Sequence, residues 1–235
     1  MPLRECIFIS GTSRGLGLQL AKEYTNLGCT VIGCSRGESA FKHDMYHHYK
    51  CDITDEENVK AIFSDIRMKK LNPKILINNA GIELSSIFAL TKIDDANRVL
   101  KTNILGSLLI SREMIKLMQR NGFGRIINFS SICVSLGNVG SSIYSASKAG
   151  VEAMAYSLAN ECKSFDITVN TLGLSYVENT GMSDAQSETV IASLQGQLFK
   201  PDFLKVSEIV KAIDFLGAPE AKNITGQTIY FGGVR

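Results

Sequence analysis

Short apolar runs alternate with amphipathic helical stretches along most of this chain, and that alternation constrains the fold more than any other feature. The runs IFI (7–9) and ILI (75–77) are apolar throughout, as in strands buried on both faces of a sheet. Strand–helix units that repeat in this way pack as a parallel sheet with helices on both sides. The sequence therefore predicts an α/β fold with a doubly wound parallel sheet, and its 235 residues suit a single domain over 1–235.

Seven strands and five helices are predicted from this pattern. The strands are placed at 5–11, 29–35, 47–55, 74–81, 124–131, 166–174 and 226–231. The helices are placed at 17–28, 55–70, 94–119, 141–161 and 207–217. We expect Gly28 to end the first helix and Thr54 to cap the second, because these residue types favour those positions.

Charge and hydropathy exclude several classes of function. The formal net charge is +2 and no basic cluster stands out, which argues against a nucleic-acid partner. No apolar run approaches the length of about 20 residues that spans a membrane, nor the shorter apolar stretch of a signal peptide. We therefore expect neither a membrane nor a nucleic-acid partner.

The cysteine and histidine residues do not indicate a disulfide framework or a metal centre. Six cysteines are scattered with no CxxC pair, which favours a reduced, cytoplasmic setting. His43, His47 and His48 lie near Cys51 and Asp52, and such side chains can bind metals. Because the segment reads as a polar loop before a strand, we predict no metal site.

A glycine-rich turn, SGTSRGLG (10–17), joins the first strand to the first helix. Gly11 permits a sharp turn, Gly15 lets the backbone approach a pyrophosphate, and Gly17 allows close packing of helix and strand. The helix N-terminus then offers free N–H groups to phosphate. No Gly-Lys-Ser/Thr triplet follows, so the turn predicts a Rossmann-like dinucleotide site rather than a nucleotide-hydrolysing loop.

The end of the second strand bears on which dinucleotide binds. A carboxylate there would hold the ribose hydroxyls of NAD, but Ser35 takes that place and Arg36 follows it. Arg14 lies within the glycine turn. Two guanidinium groups suit a 2′-phosphate, so NADP(H) is favoured over NAD(H), unless both arginines are simply solvated.

Tyr144 and Lys148 are spaced so that both lie on one face of the fourth predicted helix. Such a pair is either an incidental surface contact or a tuned acid. Ser130 and Ser131 end the fifth strand, at the carboxyl edge where open α/β sheets bind ligands. Asn103 lies inside a long apolar helix, where its mediocre helix propensity needs a reason.

These features resemble the short-chain dehydrogenase/reductase family over nearly the whole chain, and most of all its 3-oxoacyl-(acyl-carrier-protein) reductase type. The matching motifs are TSRGLG (12–17), CD (51–52), NNAG (78–81), TN (102–103), SS (130–131) and YSASK (144–148). Each motif is weak alone, whereas the set is highly specific.

The resemblance implies a catalytic role for four residues. Tyr144 would be the general acid that protonates the carbonyl oxygen, and Lys148 would lower its pKa and bind the nicotinamide ribose. Ser131 would hydrogen-bond the carbonyl oxygen, and Asn103 would hold a water linked to Lys148. Lowering the pKa of a tyrosine from near 10 to near 7 needs about 4 kcal/mol.

The resemblance also implies a set of cofactor contacts. Asp52 and Ile53 would cradle the adenine, and Val177 would hold the nicotinamide carboxamide. Tyr144 and Lys148 belong to both sets. The remaining contacts implied are Gly11, Ser13, Arg14, Gly15, Leu16, Gly17, Ser35, Arg36, Asn78, Asn79, Ala80 and Gly81.

The chain departs from the family after the sixth strand, where Leu174 and Ser175 replace the usual Pro-Gly. Either Asn179 or Thr180 would take the place of a threonine that normally follows. The segment 175–205 is predicted to be a substrate lid. Its apolar side chains either contact an acyl substrate or only pack the lid down, and they are Tyr176, Met182, Leu198, Phe199, Phe203 and Leu204.

The expected function is NADPH-dependent reduction of a small-molecule ketone or acyl thioester. The alternatives are oxidation of a secondary alcohol of a sugar or natural-product intermediate, and a non-catalytic NADP-binding sensor. The two long helices, near 94–119 and 144–163, have wide apolar bands. By analogy with the family they are the faces of a homodimer or homotetramer.

Overall fold

The sheet contains seven parallel strands, in a computed structural model that describes residues 6–180, 191–192 and 195–234. Their order across the sheet is β3-β2-β1-β4-β5-β6-β7. The strands are β1 Cys6–Ser10, β2 Thr30–Ser35, β3 Tyr46–Lys50, β4 Ile75–Asn78, β5 Gly124–Ser131, β6 Ile167–Leu174 and β7 Thr228–Tyr230. The predicted α/β class and the doubly wound parallel sheet are confirmed.

Helices connect the strands and cover both faces of the sheet. In the described ranges they are α1 Gly15–Asn26, α2 Glu56–Met68, α3 Ile93–Leu100, α4 Ser107–Asn121, α5 Cys133–Leu136, α6 Ser142–Glu161 and α7 Val206–Gly217. Short 3₁₀ turns lie at Phe88–Leu90 and Pro219–Ala221. Gly28 follows α1 with a φ of 81°, as its predicted place after the helix requires.

Two apolar cores lie on the two faces of the sheet, which explains why its strands are apolar without alternation. Phe8 packs with α2, α4 and α6 on one face. Ile7 and Ile9 pack with α1 and α7 on the other. Because neighbouring residues of a strand point to opposite faces, the central strands β1, β2, β4, β5 and β6 supply apolar side chains to both cores.

The long helix predicted at 94–119 is interrupted. A π-helical segment, Lys101–Gly106, separates α3 from α4. At this widened turn the Ser107 hydroxyl donates to the Asn103 carbonyl over 2.8 Å. π-bulges of this kind occur often at functional sites, and this one carries Asn103.

The N-terminus of α2 also differs from its prediction. Asp55, not Thr54, is the N-cap, and its Oδ1 accepts from Glu57 N and Asn58 N at 2.9 and 3.0 Å. Thr54 instead donates its hydroxyl to Asp52 Oδ1 over 2.8 Å. Both residues suit an N-cap, and the turn after β3 decides between them.

The carboxyl ends of all the strands lie at one edge of the sheet because the strands are parallel. The chain leaves β1 for β2 and β3 on one side and then returns to β4 on the other. A crevice opens at such a reversal, outside the carboxyl ends of the strands. Among the described residues, no helix is long and apolar enough to cross a membrane.

Arg125 on β5 is fully buried, and its burial generates a prediction about stability. Its guanidinium donates to Gly124 O at 2.8 Å, to Asp166 Oδ1 at 2.9 Å and to Ala218 O at 3.3 Å. Arg125→Met removes these hydrogen bonds and leaves the buried Gly124 carbonyl without the guanidinium, so we expect the free energy of unfolding to fall by about 3 kcal/mol. Urea denaturation measures the change.

The matched control is Arg120→Met, on the exposed surface of α4. It should change the free energy of unfolding by no more than about 0.5 kcal/mol. Equal free energies of unfolding for the two variants would show that the hydrogen bonds of Arg125 do not stabilise the fold.

Candidate active site

A cleft of about 960 Å³ runs along the carboxyl edge of the sheet. It brings together most of the residues that the sequence analysis singled out. Those in its wall are Gly11, Ser13, Arg14, Gly15, Leu16, Gly17, Ser35, Arg36, Asp52, Ile53, Asn79, Ala80, Gly81, Ser131, Tyr144, Lys148 and Val177. Asn78 and Asn103 lie behind this wall.

The glycine turn after β1 is tightly packed at Gly11 and Gly17, where no side chain would fit. At Gly15 it faces open space that a ligand could occupy. A Cβ on Gly17 would lie 2.2 Å from Gly11 O. Gly11 has a φ of 78°, and a Cβ there would lie 2.9 Å from Ala80 Cα. Gly15 has a φ of 57°, and a Cβ at that position would have nothing within 4 Å. The turn thus fits the close approach of a pyrophosphate.

The N-terminus of α1 faces the same cleft and has no side-chain cap. Arg14 is its N-cap residue, in an extended conformation, and no side chain there accepts from the first N–H groups of the helix. These N–H groups and the helix dipole favour an anion. The donor set at this end of the cleft therefore fits the phosphates of a dinucleotide.

Asn79 and Asn78 have different roles although they are neighbours. Asn79 Nδ2 donates to Ser10 O at 2.8 Å and so fixes the turn at the cleft. Asn78 is buried, and its Nδ2 donates to Ser111 Oγ and Asn128 Oδ1, both at 2.8 Å. Asn78, which the resemblance implied as a cofactor contact, thus points its side chain into the core and not into the cleft.

The end of β2 presents the groups that were predicted to distinguish the two dinucleotides. Arg14 and Arg36 are exposed and form no ion pair with a described residue. Ser35 donates its hydroxyl to Gly37 O over 2.8 Å. Asp52 Oδ1 accepts from Thr54 N at 2.9 Å, which fixes the turn after β3 at this end of the cleft.

Tyr144 and Lys148 lie in the first turns of α6, both buried, at the opposite end of the cleft. Lys148 Nζ lies 5.8 Å from the centre of the Tyr144 ring and donates to Phe129 O at 2.8 Å. Ser131, at the end of β5, accepts from Cys133 N at 3.2 Å. The pair is therefore an interior arrangement and not a surface contact.

The pKa values of this pair are shifted mainly by burial. Burial lowers the pKa of Lys148 to about 8, and the Glu152 carboxylate opposes that shift. Burial also raises the pKa of Tyr144, Cys133 and Glu83 raise it further, and its hydrogen bond with Ser131 lowers it. The direction for Tyr144 is opposite to the one expected from the sequence, because desolvation outweighs the hydrogen bond with Ser131.

Asn103 lies behind the wall of the cleft and hydrogen-bonds to two of the segments that form it. Its Oδ1 accepts from Ile82 N at 2.9 Å, and its Nδ2 donates to Ile82 O at 3.0 Å and to Ser147 Oγ at 2.9 Å. The side chain thus joins the loop after β4 to α6. It lies close to Lys148, since a Cβ on Gly81 would be 3.3 Å from Asn103 Oδ1 and 3.5 Å from Lys148 Nζ.

The segment after β6 supplies the last wall of the cleft. Ser175 Oγ is buried and finds no hydrogen-bond partner among the described residues, so it is placed to bond a ligand. Thr180 lines the cleft and donates to Val177 O at 3.0 Å. Asn179 has a φ of 55° and accepts from Gln19 at its carbonyl. Of the two candidates, Thr180 is the one at the cleft.

The sequence analysis missed several side chains of this site. Glu83 and Cys133 line the cleft beside Tyr144, and nothing in the sequence placed them there. Tyr176, predicted as a side chain of the lid, also lines the cleft, and burial raises its pKa to about 12. Glu152 was also missed, although it follows Lys148 by one helical turn and that spacing was the available signal.

Comparisons with known proteins agree with this geometry. A family model described as short chain dehydrogenase matches residues 5–190. The chain is 31% identical over 231 residues to 3-oxoacyl-(acyl-carrier-protein) reductase FabG of Salmonella typhimurium, covering 96% of this chain and 94% of the relative. The protein of that name from Vibrio harveyi is 32% identical over 235 residues, with coverages of 96% and 94%.

A solved structure also superposes on nearly the whole chain. It is a short chain dehydrogenase from Leptospira borgpetersenii serovar Hardjo-bovis with bound NAD⁺. The TM-score is 0.89 at 24% identity, covering 98% of this chain and 92% of that one. This likeness supports the fold.

The buried ammonium generates a prediction about stability and pH. The folded-state pKa of Lys148 is about 8 against an ordinary 10.5, so the unfolded chain binds more protons between these values. Titration of Lys148 should therefore contribute a rise of about 2 kcal/mol in the free energy of unfolding from pH 7 to pH 10, against an opposite contribution from the buried cysteines, whose raised pKa values are shared by the wild type and the variants. Lys148→Met should abolish this rise in protein without added cofactor.

Urea denaturation at a series of pH values measures both curves. Lys163→Met, at an exposed position beyond α6, is the control and should keep the wild-type slope. Parallel curves for the wild type and Lys148→Met would contradict the assigned shift.

Proposed function

This chain belongs to the short-chain dehydrogenase family, and we propose on that basis that it reduces a ketone or 3-oxoacyl thioester with NADPH. The observation that carries the proposal is the placement of Tyr144, Ser131 and Lys148 around one end of a cleft whose other end fits phosphates. The relatives named 3-oxoacyl-(acyl-carrier-protein) reductase support a 3-oxoacyl substrate.

Tyr144 is the proposed proton donor. Burial raises its pKa, so the phenol is protonated near neutral pH, and transfer of its proton to a carbonyl oxygen depends on stabilisation of the phenolate that is left behind. NADPH, when bound, supplies the hydride. Ser131 donates a second hydrogen bond to the oxygen as negative charge develops on it.

Lys148 stabilises the phenolate that proton transfer leaves behind. Its ammonium lies 5.8 Å from the ring centre in a desolvated setting, where a charge interaction is stronger than in water. Asn103 holds the loop at Gly81 and α6 in register through Ile82 and Ser147. In this proposal Lys148 also binds the nicotinamide ribose, and the water assigned to Asn103 remains a prediction.

The residues that we propose to bind the cofactor lie along the cleft. The turn 11–17 and the N-terminus of α1 hold the pyrophosphate, and Asp52 and Ile53 border the adenine. Ser175 and Val177 border the nicotinamide, where Ser175 Oγ supplies a hydroxyl in place of the usual glycine. Arg36, with Arg14, binds the 2′-phosphate of NADPH through charge-assisted hydrogen bonds.

The substrate is proposed to enter beneath the segment 175–205. In its described part, the rings of Tyr176 and Phe203 lie 6.0 Å apart, and Val177 pairs with Leu204. Leu198 is buried, whereas Phe199 is exposed. Met182, which was assigned to this lid, lies outside the described residues. An apolar acyl chain suits these walls.

A homodimer or homotetramer is proposed as the working assembly. The two long helical regions predicted to form its faces carry exposed apolar side chains. Those on the π-helical segment, α4 and α6 are Leu105, Leu108 and Tyr156.

Replacing Tyr144 by Phe tests the proton donor. The variant keeps the ring but lacks the hydroxyl, so we expect kcat for a 3-oxoacyl thioester to fall about a thousandfold. NADPH absorbance measures the rate.

The control for this change is Tyr156→Phe, because Tyr156 lies on the same helix with 71% of its surface exposed. It should retain the wild-type rate. Wild-type turnover by Tyr144→Phe would refute the assigned acid, and a wild-type protein that binds NADPH but reduces no ketone would favour the sensor.

Replacing Arg36 by Asp tests the cofactor preference. Calorimetry should show the wild type binding NADPH at least about tenfold more tightly than NADH, through charge-assisted bonds. Arg36→Asp should reverse that order, because a carboxylate repels the phosphate and can accept from ribose hydroxyls. Lys42→Asp, also exposed, serves as the control, and an unchanged order in Arg36→Asp would exclude Arg36 as the determinant.

A further inference from the structure

Glu152 lies on α6 one helical turn beyond Lys148, just outside the cleft. Its Oε1 accepts hydrogen bonds from the Ser130 hydroxyl and, at 2.7 Å, from the Tyr230 hydroxyl. Ser130 precedes Ser131 at the end of β5, and Tyr230 ends β7. One carboxylate oxygen therefore joins three elements next to the catalytic groups.

Tyr230 reaches Glu152 only because β6 has a glycine beneath its ring. A Cβ on Gly173 would lie 2.1 Å from Tyr230 Cδ1. The ring thus crosses β6 in contact with its backbone, and its hydroxyl meets the carboxylate on α6. Packing this close indicates a specific arrangement rather than an incidental surface contact.

We propose that Glu152 is a positioning residue for Lys148: its carboxylate fixes α6 against β5 and β7, and its negative charge keeps the Lys148 ammonium protonated in the interior. The effect on catalysis rests on the proposed reduction, whereas the positioning of Lys148 by Glu152 does not depend on it.

The contacts of Lys148 show why a nearby anion matters. Its Nζ is buried and donates to Phe129 O over 2.8 Å, which is a neutral acceptor. Burial lowers the pKa of Lys148, and the charge on Glu152 raises it. Within the described part of the chain, the other titratable groups around the pair are acids, namely Tyr144, Glu83, Cys133, Tyr176 and Tyr230.

A neutral Lys148 cannot stabilise the Tyr144 phenolate, so the rate of reduction should fall as Lys148 loses its proton. Glu152 therefore extends activity to higher pH. Without its charge, the alkaline limb of the pH–rate profile should move to lower pH.

The experiment compares two variants that separate charge from hydrogen bonding. Glu152→Gln keeps the size and the acceptor oxygen but removes the charge. Tyr230→Phe keeps the charge and the ring on Gly173 but removes one hydrogen bond. The profile of kcat/KM is measured from about pH 5.5 to about pH 9.5, a range that brackets the transition, with NADPH and a 3-oxoacyl thioester.

Relative to the wild type, we expect Glu152→Gln to lose about tenfold more activity at about pH 8.5 than at about pH 6. A loss of this size corresponds to removal of one charge that lies one helical turn from Lys148. Tyr230→Phe should keep the wild-type profile, whatever its absolute rate. Glu152→Asp keeps the negative charge, so the alkaline limb of its pH–rate profile should lie at the wild-type pH. Equal shifts in Glu152→Gln and Tyr230→Phe, or no shift in Glu152→Gln, would overturn the charge role.

A second measurement separates this inference from the proposed reaction. At about pH 7 and without cofactor, Lys148→Met should stabilise the Glu152→Gln protein more than it stabilises the wild type, by about tenfold in the folding equilibrium. Equal gains in both backgrounds would overturn the inference even if the enzyme reduces ketones. Unequal gains would support it even if no substrate were found.

Discussion

The burial of a single ammonium group, that of Lys148, is the constraint on which the rest of the site depends. A cation held in the interior is destabilising unless acceptors and anions surround it. Here the Phe129 carbonyl accepts a hydrogen bond from the ammonium, and the Glu152 carboxylate offsets only part of the effect of burial on the pKa of Lys148. They do so only when α6 lies against the end of β5, and the same docking places Tyr144 beside Ser131. The chemistry and the packing therefore cannot be separated.

The other end of the cleft is governed by close approach rather than by charge. Gly11, Gly17 and Asn79 bring β1, α1 and the loop after β4 within contact of one another. The reversal of strand order next to β1 opens the crevice at that point. Because parallel strands share one carboxyl edge, the glycine turn and a buried tyrosine–lysine pair lie in one continuous groove.

Much of the fold could be predicted from the sequence, and the misses have physical reasons. The strands were found because burial on both faces imposes continuous apolar runs. The break at Lys101–Gly106 was missed because one widened turn leaves the apolar periodicity of α3 and α4 almost unchanged. Thr54 was preferred to Asp55 because both residue types cap helices, and only the course of the turn after β3 decides which one does.

Local motifs in the sequence determined the parallel α/β fold, the glycine turn, and the shared helix face of Tyr144 and Lys148, since these depend on spacing and residue type alone. Only the tertiary structure decided which groups surround them. It placed Asn78 in the core, Asn103 against Ile82, and Glu152 beneath Tyr230. It also decided that burial raises the pKa of Tyr144. Desolvation and long-range hydrogen bonds depend on segments distant in the chain, and no local pattern encodes them.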